Sequence, residues 1–193
     1  MEGANLKINY IGIVAAILAF ISLALPWWIM SMSMSSELLN LNADVSVYLY
    51  QATASALGVS TTVSMNLWFS WAALAMMAIA GIAGLAGSVM VGKTGKMLLV
   101  VAGIVALLSI IIFAVGLQGE LANAPPVAGF PSVGLFSSGS VSFMSYSMNL
   151  SSYLTYGFWL ALVAAILALV SILKHPMAAE AAAAAAPAQT TET

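Results

Sequence analysis

Apolar residues in this chain fall into four long runs, separated by two segments with a shorter period. The runs cover residues 8–29, 67–91, 97–117 and 153–173 and contain no Asp, Glu, Lys or Arg. Each reaches the roughly 20 residues that a helix needs to cross a bilayer. Lipid offers the backbone no hydrogen-bond partner, so each run is predicted to be a helix despite its Val and Ile content. A central charge would cost about 2.5–3.5 kcal/mol on insertion, and none is present.

Between the runs the period changes from helical to two. Val45, Val47 and Leu49 alternate with Ser46, Tyr48 and Tyr50. Val59, Thr61, Val63, Met65 and Leu67 alternate with Ser60, Thr62, Ser64 and Asn66. Val141 and Phe143 alternate with Ser140 and Ser142, and Tyr146, Met148 and Leu150 with Ser145, Ser147 and Asn149. Alternation of this kind predicts strands with one face buried. The phase slips at Met144, which reads as a bulge. Leu57-Gly58 lies where a hairpin would turn, and Pro125, Pro126 and Pro131 mark an irregular connection. A sheet of at least three strands, drawn from both segments and resting on the helix ends, is expected.

The fold class that follows is an all-α membrane protein: a four-transmembrane-helix bundle with a small extracellular β-sheet from the two outer loops. Its divisions are a cytoplasmic N-terminus (1–7), transmembrane helices at 8–29, 67–91, 97–117 and 153–173, outer β-rich loops at 30–66 and 118–152, an inner hairpin at 92–96, and an Ala-rich cytoplasmic tail at 174–193. The first run contains a small-x-small site, Ser22-Leu23-Ala24, but continues apolar through Pro26-Trp27-Trp28, so it is read as a retained span.

Composition sharpens this. Of 193 residues, 63% are hydrophobic and 5% charged, against about 25% charged in an ordinary soluble domain. A water-soluble enzyme and a disordered chain are both excluded. Net charge is −2 and Arg is absent, so there is no footprint for binding nucleic acid through its phosphates. Lys7, Lys93, Lys96 and Lys174 all fall on one side of a four-span topology. The positive-inside rule then makes both termini cytoplasmic, in the plasma membrane or another cell-envelope membrane. Trp27, Trp28, Trp68, Trp71 and Trp159, with Tyr153 and Tyr156, cluster toward the other side as an interface belt.

Candidate chemistry is sparse. Cysteine is absent. Glu37, Asp44 and Glu120 are the acids expected outside, with no basic partner there. No catalytic site, cofactor or metal is expected, and the chain is read as not an enzyme. Met30, Met32 and Met34 have strand spacing, and three thioethers on one face would suit Cu(I), although Met is also an abundant apolar filler here. His175, at the inner end of the fourth run, is expected to meet the last carbonyls or water. Ala80, Gly84 and Ser88, with Gly81 and Gly87, form a small-residue ridge for close helix packing. Asn149-Leu150-Ser151 is a glycosylation sequon on the expected outer side. Ser64-Met65-Asn66-Leu67 echoes Ser147-Met148-Asn149-Leu150, and Gly12-Ile13-Val14-Ala15 echoes Gly103-Ile104-Val105-Ala106, as in a duplicated half.

This arrangement resembles the claudin-like four-helix membrane proteins. Leu23-Ala24-Leu25-Pro26-Trp27-Trp28 looks like the close of their first span, and Gly92-Lys93 followed by Met97 is similar to their basic inner loop and third span. The two-cysteine signature of their first outer loop is missing, so no functional residue carries over. The resemblance implies the four-helix architecture and a role in lateral or cell-surface contact. The expected function is a non-enzymatic multi-pass membrane protein acting by protein contact, as a structural or accessory subunit or as a self-associating surface protein. Its expected partners are the lipid bilayer and other membrane proteins or copies of itself, with no small-molecule substrate. A pore formed by oligomers and a copper-handling role are the alternatives.

Overall fold

The computed structural model describes residues 8–36, 40–63, 67–124, 133–143 and 146–175. These residues form four α-helices and six strands. Helix α1 is Tyr10–Ala24, followed by strands β1 (Trp28–Ser35), β2 (Asn40–Val47), β3 (Ala52–Ala56) and β4 (Val59–Val63). Helices α2 (Trp68–Val89) and α3 (Lys93–Asn123) come next. The chain ends with β5 (Ser137–Phe143), β6 (Tyr146–Leu154), α4 (Tyr156–Ser171) and a 3-10 turn at Ile172–Lys174.

The helices form a ring in which α1 and α3 each pack against both α2 and α4. Its centre is filled by alanine and glycine from all four helices, including Ala16, Ala80, Gly84, Ala106 and Ala164. The void left between them is about 10 Å³, about one water-sized probe sphere at most. Small side chains let the helix backbones approach closely.

Three helices are long and apolar enough to cross a membrane: Trp68–Val89, Lys93–Asn123, and α4 with its final turn, Tyr156–Lys174. Helix α1 is apolar but has 15 residues, roughly 22 Å at 1.5 Å per residue. It stops at Ala24 because Pro26 forces the residue before it out of the helical region, and Leu25 is extended, with φ −99° and ψ 153°. Trp28 and Ile29, expected inside the first span, begin β1 instead. Helix α3 runs beyond the expected 97–117 at both ends. Gly92 makes the tight connection between α2 and α3 with φ +89°, a conformation that suits glycine.

The fold is therefore mixed, not all-α. One six-stranded antiparallel sheet, in the order β4-β3-β2-β1-β6-β5, caps the end of the bundle where α1 leaves and α2 and α4 enter. The pairing of β1 with β6 joins the two segments into one sheet. Lys93, Lys96 and Lys174 lie at the opposite end of the helices. Leu57 and Gly58 turn the β3–β4 hairpin with φ of 54° and 79°, both positive as a two-residue type I′ turn requires. The phase slip near Met144 is a reversal between two strands and not a bulge in one: Phe143 pairs with Tyr146. Met144 itself lies outside the described residues, as do Lys7, Glu37, Ser64–Asn66 of the repeat, Pro125, Pro126, Pro131 and the C-terminal tail.

Candidate functional site

The registers sort every strand residue onto one of two sheet faces. Trp28 pairs with Val47 on one side and Leu154 on the other. Val47 pairs with Ala52. These four are buried and join the core above the helix ends, with Met30 and Val45 packed beside them. Residues 133–136 cross the same face: the Trp28 indole N–H donates to the Leu135 carbonyl at 3.2 Å, and the Ser152 hydroxyl to the Gly134 carbonyl at 2.8 Å. So one face of the sheet is the roof of the core.

The other face is polar, and it is ordered in rows. Ser31 faces Asp44 on β2 and Ser151 on β6, which faces Ser138 on β5. Two residues further along β1, Ser33 faces Asn42 and Asn149, and Asn149 faces Ser140. These eight residues line an open trough of about 570 Å³, together with Met32, Gly139 and Leu150, which lie between the two rows and alternate onto the opposite face. Directly opposed residues have Cβ atoms about 4.5–5.5 Å apart, and rows two residues apart along a strand are separated by about 7 Å. The trough is thus a two-row grid of hydroxyls and amides around one carboxylate.

None of these eight side chains has a hydrogen-bond partner among the described residues. Elsewhere the chain satisfies its hydroxyls. Buried Ser22, Ser70, Ser88, Ser109 and Ser171 each donate to a backbone carbonyl at 2.6–2.8 Å. Buried Thr155 does the same to Pro26. Buried polar groups must be paired to offset lost hydration. The trough residues are exposed or half-buried, so their donors and acceptors face solvent instead of the chain. A serine hydroxyl needs an adjacent base to become a nucleophile, and no His or Lys lines the trough.

The sequence-predicted residues are distributed as follows. Ala80, Gly81, Gly84, Gly87 and Ser88 are all buried on α2. A Cβ on Gly84 would meet Ala16 at 3.3 Å and Ala102 at 3.8 Å, and one on Gly81 would meet the Phe20 ring at 2.8 Å. Their contacts are within the chain's own bundle. Trp68, Trp71 and Trp159 are exposed near the sheet end of α2 and α4. Trp27 and Trp28 are not part of such a belt: they are 0% and 3% exposed. Trp27 sits at the corner between α1 and β1, where its indole N–H donates to the Ser22 carbonyl at 2.8 Å. Its ring lies edge-on to Phe113 at 5.0 Å and Phe158 at 6.0 Å, so aromatic packing holds it inside.

Asn149 is exposed in the middle of the trough. Asp44 is exposed on β2, and Glu120 is on the last turn of α3. Met30, Met32 and Met34 share the face of β1 opposite the trough, with Met34 paired to Met148 and Met30 packed on the core. His175 is 6% exposed, and neither ring nitrogen has a hydrogen-bond partner among the described residues, so of the expected carbonyls or water no carbonyl contact is seen there. The trough itself was not anticipated. Its signal was present, since Ser31, Ser33 and Ser35 alternate with the three methionines, but only the methionine side of that alternation suggested chemistry.

No family model matches the chain, and no curated protein matches it.

Proposed function

We propose that this chain is a non-enzymatic multi-pass membrane protein that acts by contact. The four helices anchor it as spans, with both termini cytoplasmic, and the sheet stands outside the membrane in a claudin-like arrangement. It serves as an accessory subunit of a membrane assembly or as a self-associating surface protein. The observation that carries this reading is the trough: eight polar side chains with no hydrogen-bond partner among the described residues, held in register on one sheet at the end of the bundle opposite Lys93, Lys96 and Lys174. A grid of free donors and acceptors is suited to recognition, and without a base beside its hydroxyls it is poorly suited to catalysis.

The alternative of a channel formed by oligomers is constrained, not opposed, by the alanine-filled centre. With about 10 Å³ of void between the four helices, a path for ions would have to run between copies. Purification in mild detergent, followed by mass spectrometry of intact assemblies, tests the contact reading. A stoichiometric partner or a homogeneous oligomer is the expected outcome. A strict monomer with no companion counts against it.

A further inference from the structure

The chemistry of the trough narrows what it can hold. An anionic ligand would meet the Asp44 carboxylate with no Lys, Arg or His in the lining to offset the repulsion. A hard cation such as Ca²⁺ takes about six to eight oxygen ligands, with several carboxylates in strong sites, and a single carboxylate falls short of that. An apolar ligand would strand the free hydroxyls and amides without partners. What remains is a neutral molecule that carries donors and acceptors in equal measure. Serine hydroxyls both donate and accept, asparagine amides do both in fixed directions, and a carboxylate accepts from two neighbouring hydroxyls.

Dimensions agree with that chemistry. The volume of about 570 Å³ lies within the roughly 300–1,000 Å³ of small-ligand sites. Strands about 4.8 Å apart and rows about 7 Å apart place polar groups at the scale of the hydroxyls around a sugar ring. Tyr153 follows Ser151 by two residues on β6, on the same face by strand alternation, and is 46% exposed. Its ring adds an apolar plane for the C–H side of a sugar at the bundle end of the trough.

We propose that the trough between β2, β1, β6 and β5 binds a neutral saccharide. The inference rests on the contact reading and names a ligand class for that surface. The trough is open along its length, so a sugar within a longer glycan fits as well as a free oligosaccharide.

The test uses the full-length chain, unglycosylated, in phosphatidylcholine nanodiscs, which keeps sugar-headed detergents away from the trough. Maltotriose, chitotriose and mannotriose are titrated at millimolar concentration, with binding read by saturation-transfer NMR and calorimetry. At least one should bind. Asp44→Asn, which preserves shape, and Asn149→Ala should each weaken that binding tenfold or more, while Ser60→Ala, on the same face but outside the trough, should leave it unchanged. Silence from all three sugars overturns the inference, as does binding that is indifferent to both trough variants. Equal binding of the anionic sialyllactose overturns the neutral assignment. Labelling of a Ser140→Cys variant from outside intact cells separates the two levels. If Ser140→Cys labels and no sugar binds, the saccharide inference fails and the contact reading stands. If Ser140→Cys is shielded from outside, both fail.

Discussion

Asn9 donates its side-chain amide to the backbone carbonyl of Ser171 at 2.8 Å, tying the start of α1 to the end of α4. The same side chain accepts from the Gly12 N–H at 3.2 Å as the cap of α1, and the Asn9 backbone N–H donates to Ser88 on α2 at 3.0 Å. One residue thus joins three helices at the end remote from the sheet. Asn9→Ala removes both side-chain bonds at a site 4% exposed. The expected loss is about 1–3 kcal/mol, read as a lower unfolding midpoint in lipid or detergent. Asn9→Asp keeps the cap oxygen but sets a carboxylate against the Ser171 carbonyl at a buried site, so it should destabilise at least as much as Asn9→Ala.

Two glycines three residues apart on α3 should respond in opposite directions. A Cβ on Gly116 would run into the ring of Phe69, whereas one on Gly119 meets nothing within 4 Å. Gly116→Ala should destabilise by about 1–3 kcal/mol, the usual cost of overpacking a close contact. Gly119→Ala should stabilise by up to about 1 kcal/mol, because alanine favours the helix. Thermal unfolding of the pair side by side checks both signs.

Much of this fold was legible in the sequence, for a physical reason. A bilayer-length apolar run and a period-two alternation are local signals, and they marked α2, α3, α4, β2, β4, β5 and β6. The corner between α1 and β1 was not legible, because Pro26-Trp27-Trp28-Ile29 stays apolar while the backbone changes from helix to strand. Hydropathy reports the absence of charge, not the direction of the chain. For the same reason Trp27 and Trp28 resembled an interface belt, though aromatic neighbours from α3 and α4 enclose Trp27 and Trp28 is buried in the core. The trough depends on register between strands far apart in sequence, such as Ser31 with Ser151. Single-strand patterns cannot supply that pairing.

The β3–β4 turn carries a removable strain. Leu57 holds φ at 54° and is 74% exposed, so it takes a left-handed conformation without core contacts in return. Asn tolerates that region better and is favoured in type I′ turns. Leu57→Asn should stabilise the protein by about 0.5–1 kcal/mol, seen as slower amide exchange across Ala52–Ala56 and Val59–Val63.

The chain contains no cysteine, so single reporter thiols can be read without background. Ser140 lies in the trough, and Thr94 is exposed on the first turn of α3 at the other end of the bundle. A membrane-impermeant maleimide applied to intact cells should label Ser140→Cys at once and Thr94→Cys only after permeabilisation. Labelling of Thr94→Cys in intact cells, with Ser140→Cys protected, would turn the polar sheet inward and remove it as an outer contact surface.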